Sequence, residues 1–165
     1  MNDLLPNLIE ALREELKQYG EMLALLEHQH DLVVQRQTDD LLRSVTSINA
    51  QTGIIAAARH EREQRQRQIA RALGLAEEAG FDGILQRLPV NYRPLAQALV
   101  QENNELLIRV QQRARQNHLL LNHCVELMQH FINSIFPASK PVTYDGHGLA
   151  PAAVGNTPSL YQAMG

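Results

Sequence analysis

The chain has 165 residues, of which 44% are apolar but only 4% aromatic, with no tryptophan. That length suffices for one domain with a real core, and so few aromatic residues argue against a large sheet and for helices. A single cysteine excludes an internal disulfide, while a net charge of −3 decides nothing about nucleic acid.

The first residues, "MNDLLPNLIEALREE", lack the basic segment and small-residue cleavage site of a signal peptide. No apolar run approaches the roughly 18 residues that would span a bilayer, so no stable membrane insertion is expected. A reducing, cytoplasmic location fits the lone cysteine.

A first helix is predicted over about 3–37. Leu5, Leu12, Tyr19, Leu26 and Val33 recur every seven residues. Leu8 and Met22 stand three residues after members of that series, and Ile9, Leu16 and Leu23 four after. Together they form one apolar stripe about 100° wide, which suits a bundle helix.

"TDD" at 38–40 offers N-cap chemistry for a second helix over about 41–73. Its stripe starts with Leu41, Val45, Ile48 and Ile55, fades through "RHEREQRQRQ", and resumes at Ile69 and Leu73. Gly74 is a natural stop. The connection, 74–93, is rich in glycine and proline and leaves room for one short helix near 83–88.

The third long helix is predicted over about 94–136, roughly 60 Å at about 1.5 Å per residue. Asn103, Val110, Asn117, Cys124 and Phe131 keep a seven-residue series, flanked by Leu106, Leu120 and Leu127 and by Leu107, Ala114, Leu121, Met128 and Ile135. Cys124 therefore falls in the predicted seam, as a small hydrophobe. The polar members Asn103 and Asn117 either fix register and partner or turn toward the bundle rim.

From Pro137 the helical pattern stops. The last 29 residues hold four prolines and four glycines. Such a segment cannot bury enough apolar surface to offset its chain entropy, so a flexible tail is expected over 137–165.

Charge pairs the first two helices. Residues 1–40 carry a net −6 and residues 41–73 a net +4. A short link between helices of opposite sign predicts an antiparallel hairpin, along which the third helix returns. The expected architecture is all-α: an elongated, coiled-coil-like antiparallel three-helix bundle over 1–136, followed by the tail.

Two patterns bear on chemistry. "NHLLLNHCVELMQH" places His123, Glu126 and His130 on one flank of the third helix, and Glu27 and His30 keep the E-x-x-H spacing of di-metal bundles. Such a site needs two E-x-x-H pairs and two further inward glutamates, and only one pair is present. The stretch reads as a packing helix, with no metal or other cofactor and no catalytic residue. The arginines of "RHEREQRQRQIAR" are diluted by Glu61 and Glu63 and have no interleaved aromatics. They read as a solvated or salt-bridged face, not a nucleic-acid surface.

The end of the third helix is too apolar for one stripe. Leu121, Met128, Phe131 and Ile135 follow the seam, while Val125, Ile132 and Phe136 turn to another face. If this helix outruns its partners, these residues form a groove for an amphipathic client helix.

The order of features resembles the FlgN family of flagellar export chaperones. "LLEHQHDLVVQRQTDDLLRSVTSINAQ" is similar to the family's first helix, acidic turn and second helix, and "ARHEREQRQRQI" to its arginine-bearing second-helix end. "ARQNHLLLN" is similar to the N-x-x-N-x-x-L signature, with Ala114 at its first asparagine and Asn117 matching the second. "TYDGHG" is similar to a tyrosine–acidic–glycine element in the tail. The resemblance implies a non-enzymatic protein that holds the hook–filament junction proteins FlgK and FlgL by their C-terminal amphipathic segments and delivers them for export. It also implies that Tyr144 touches the export gate protein FlhA. A structural coiled-coil adaptor with no export role is the alternative.

Overall fold

The structure is a computed structural model and describes residues 3–136. These are all-helical, in four helices: α1 (Leu4–Val34), α2 (Thr38–Ala72), α3 (Phe81–Arg87) and α4 (Arg93–Ile135). The segment 137–165, including Tyr144, lies outside the described residues.

α1 and α2 pack against each other along their length. They run antiparallel. Ser44, near the start of α2, meets Gln29; Gln51 meets Gln18, donating to its carbonyl at 3.1 Å and its side-chain oxygen at 2.8 Å; Arg62, further on, meets Glu15. The stripe of α2 fades in the sequence because much of this interface is polar.

The link between them is three residues long. The Gln37 N–H donates to the Leu32 carbonyl at 3.0 Å and the Arg36 N–H to the Val33 carbonyl at 3.2 Å. That pair of bonds closes α1 and requires a left-handed residue, a role Arg36 takes at φ 59°. α2 closes the same way. Gly74 stands at φ 67°, and the Leu75 and Gly74 N–H groups reach the carbonyls of Ala70 and Arg71.

The expected cap at 38–40 is corrected. α2 begins at Thr38, with Gln37 before it and no side-chain cap bond. Gln37 takes the cap position (φ −87°, ψ 84°), so Asp39 and Asp40 lie in the first turn, where their carboxylates face the positive end of the helix dipole.

One buried cluster gathers Leu5, Leu8, Ile9 and Leu12 of α1, Ile69 and Ala70 of α2, Ile84 of α3, Leu88, and Ala96 and Leu99 of α4. A second unites Tyr19, Met22 and Leu26 of α1 with Val110 of α4, flanked by Ile48 and Ile55 of α2. α4 thus shares both clusters with α1 and α2 through one stripe.

Two asparagines set how α4 lies on α1. Asn103 Nδ2 donates to the Leu12 carbonyl at 3.0 Å and Asn117 Nδ2 to the Leu26 carbonyl at 2.7 Å. Both pairs are 91 residues apart in sequence. A constant separation means that the two helices run parallel.

α3 sits in the connection between α2 and α4. Its Ile84 is fully buried, and the Phe81 ring lies 6.0 Å from the Arg62 guanidinium. Arg93 donates to the carbonyls of Leu88 and Gln86 and so satisfies the groups left open where α3 ends.

The compact body ends at Gln129. Beyond it, the described residues are the last helical positions of α4 and Phe136.

Candidate functional site

The register of the asparagine pairs places Val34, the last residue of α1, level with Val125 of α4. From Asn122 to Phe136 every residue is exposed. Val125, Met128, Phe131, Ile132, Ile135 and Phe136 are all more than half exposed, from 51% for Ile135 to 73% for Phe136; Leu121 is half-buried. Six of the seven apolar positions singled out in the sequence therefore lie on α4, with Phe136 directly after it, and all but Leu121 face solvent.

Cys124 requires a correction. It is exposed, not a seam residue. The seven-residue pattern continues past Asn117, but by the register of the asparagine pairs Cys124 stands level with Val33, beyond Leu32, the last buried residue of α1. Periodicity reports a face suited to burial and carries no information on where the partner ends.

Three further exposed apolar residues stand outside the groove that the sequence reading named. Leu127 is 56% exposed on α4, and Val34 and Leu42 are exposed on either side of the α1–α2 turn. The signal for Leu127 was its place in the 106–120–127 series.

Asn117 is buried, not turned to the rim. Its relative exposure is 2%, and its Nδ2 also donates to Gln29 Oε1 at 3.1 Å. Asn103 has the same arrangement, with its second bond to the Leu99 carbonyl. Each Oδ1 is buried without a protein donor, so these contacts hold at a cost in desolvation. The register-fixing reading of the two asparagines is the one the geometry supports.

A second polar centre lies between α1 and α2. Glu15 is 3% exposed. Arg62 Nε donates to its Oε2 at 2.9 Å, and the Tyr19 hydroxyl to its Oε1 at 3.0 Å. Burial, then the charge and hydrogen bond of Glu15, push the Tyr19 hydroxyl up to about 12, against the opposing pull of Arg59 and Arg62. Glu15 was missed because it reads as one more acidic residue of α1. The available signal was its position, three after Leu12, where Leu8 and Met22 stand in neighbouring turns.

These groups border a cleft of about 300 Å³, lined also by Phe81, Val100, Asn103 and Leu107. The carboxylate is already held by Arg62 and Tyr19. It joins α1 to α2 and is not presented to a substrate.

The arginine run is a salt-bridged face. Arg65 and Arg67 pair with Glu61 and Glu63 one turn away, and Arg71 with Glu77 at 2.7 Å. His123 lies 3.9 Å from Glu126, both well exposed. Among the described residues no group of three His, Cys, Asp or Glu side chains is placed to hold a metal ion. Nor is any of their helices long and apolar enough to cross a membrane.

The sequence model of one protein family, described as FlgN protein, matches residues 1–152. No curated protein and no solved structure gives a match.

Proposed function

The chain belongs to the FlgN family, a family of flagellar export chaperones and not of enzymes, and from that premise we propose that it holds FlgK and FlgL in the cytoplasm before export. The exposed apolar end of α4 carries this reading. A soluble helix does not leave Val125, Leu127, Met128, Phe131, Ile132, Ile135 and Phe136 uncovered without reason, because covering one such side chain contributes about 1.5–3 kcal/mol. In the body, the same stripe is covered by α1 and α2. A client's C-terminal amphipathic helix takes up that stripe where they stop. Binding through side chains alone needs no nucleotide, and it is reversible, as export requires.

In this reading α1, α2 and α4 act as one antiparallel three-helix bundle within residues 1–136. Delivery to FlhA falls to residues 137–165, through Tyr144.

The test is a double variant, Phe131→Asp with Ile135→Lys, titrated with FlgK or FlgL. Affinity is expected to fall at least about a hundredfold, roughly 2.7 kcal/mol, while the helical circular dichroism signal is retained. Unchanged affinity in the folded variant places the client elsewhere.

A further inference from the structure

The width of the exposed stripe says what kind of client fits it. At about 100° per residue, the buried residues of α4 (Ala96, Leu99, Asn103, Val110 and Asn117) fall within about 60° of the helix circumference. With half-buried Val100, Leu106 and Leu107 the band widens to about 120°. That band shares its buried clusters with two helices, α1 and α2.

Past Asn117 the stripe broadens. Val125 and Leu127 are two residues apart, so they stand about 160° from each other, with Leu121, Cys124 and Met128 between them. Both edges are more than half exposed. Leu127 continues the seven-residue series of Leu106, Arg113 and Leu120, which Arg113 alone interrupts with a charge. Ile132 repeats the edge position of Val125, and Phe131 and Ile135 repeat the inner positions of Cys124 and Met128.

A single helix presents and covers a stripe of roughly 100°. It cannot reach both Val125 and Leu127. We propose that this surface receives two helical segments of the client side by side, as an antiparallel pair that continues the α1–α2 hairpin along the same stripe. The inference rests on the docking surface proposed above and adds the form of its occupant. Continuity with the interface that α1 and α2 already make with α4 favours this occupant over one helix or a second copy of the chain.

Site-specific photocrosslinking tests it. In a Cys124→Ser background, Val125→Cys and Leu127→Cys are each labelled with a benzophenone maleimide in the full chain bound to the junction protein. The expected result is crosslinks to two different client segments, one from each position. Crosslinks from both positions into one client helix overturn the pair. A crosslink between two chaperone chains at either position also overturns it, by giving that edge to a second copy. No client crosslink from either position in a complex that still forms defeats the docking surface itself. A label-free measurement runs in parallel: any single helical segment of the client should bind at least about tenfold more weakly than the segment pair. Equal affinity for one segment overturns the proposal.

Discussion

Asn117 of α4 donates to the backbone carbonyl of Leu26 in α1 at 2.7 Å, and its amide faces a second acceptor, Gln29 Oε1. Asn117→Asp keeps the shape and removes the donor. An ionised carboxylate there meets two acceptors in a buried seam, so its folded-state pKa must rise. Protonated, it still donates to Leu26. The variant should lose only about 1 kcal/mol near pH 4, where one O–H stands in for two N–H donors, and about 2–4 kcal/mol more at pH 7, because stability tied to a raised pKa disappears as pH climbs through that value. Urea denaturation of both proteins at the two pH values measures this. An equal deficit at both would show that geometry, not charge, is at fault.

Glu15 and Arg62 join α1 to α2 with little water around them. Glu15→Gln leaves Arg62, 17% exposed, without its carboxylate, and should cost about 2–4 kcal/mol. Tyr19 reports on the same centre. Its hydroxyl is raised from 10.0 to about 12. The stability tied to that proton is complete below pH 10 and is lost as pH rises through about 12. Ultraviolet titration of the parent minus Tyr19→Phe should therefore show a step near 12. In the Glu15→Gln background that step should move down, since the carboxylate contributes to the shift.

Arg36 carries a side chain where the α1–α2 turn requires φ 59°. Arg36→Gly removes the clash of Cβ with the backbone, at some expense in unfolded-chain entropy. The net expectation is a gain of about 0.5–1 kcal/mol, with no change in helicity, measured by thermal and chemical unfolding. A loss would mean that the arginine side chain makes a contribution larger than the backbone strain.

Tyr144 lies outside the described residues, and its proposed docking to FlhA rests on the resemblance of "TYDGHG" to the family's tail element. Tyr144→Ala should leave the melting temperature and the affinity for FlgK or FlgL unchanged, while weakening binding to FlhA and slowing client export. Aromatic anchors of this kind account for about 2 kcal/mol or more of an interface, so the drop in FlhA affinity should be at least about tenfold. Normal affinity for FlhA makes Tyr144 a linker residue.

The long helices were legible because α1 and α4 each bury one continuous stripe, which periodicity detects directly. The short α3 was also foreshadowed near its observed place, between the glycines and prolines of the connection. Three things were not legible. The polar pairing of Gln51 with Gln18 and of Arg62 with Glu15 leaves no apolar trace on either strand of sequence. The donor role of Asn117 depends on a carbonyl, which every residue possesses. The exposure of Cys124 depends on where the buried face of α1 ends, at Leu32. Each belongs to a relation between helices and not to the pattern within one.

The asparagine bonds to α1 end on main-chain carbonyls, and carbonyls look alike from one heptad to the next. A slide of α4 by seven residues would offer Asn103 and Asn117 equivalent acceptors at a new level, about 10 Å away. What forbids the slide is the handful of unequal positions. Gln29 meets the Asn117 amide, and after a slide that place would be taken by Met22 or Arg36. The seam is thus a ruler with nearly identical graduations, and its zero mark is a glutamine. Substituting Gln29 would disturb the alignment of the helices before it disturbed their adhesion, and with it the length of bare α4 offered to a client.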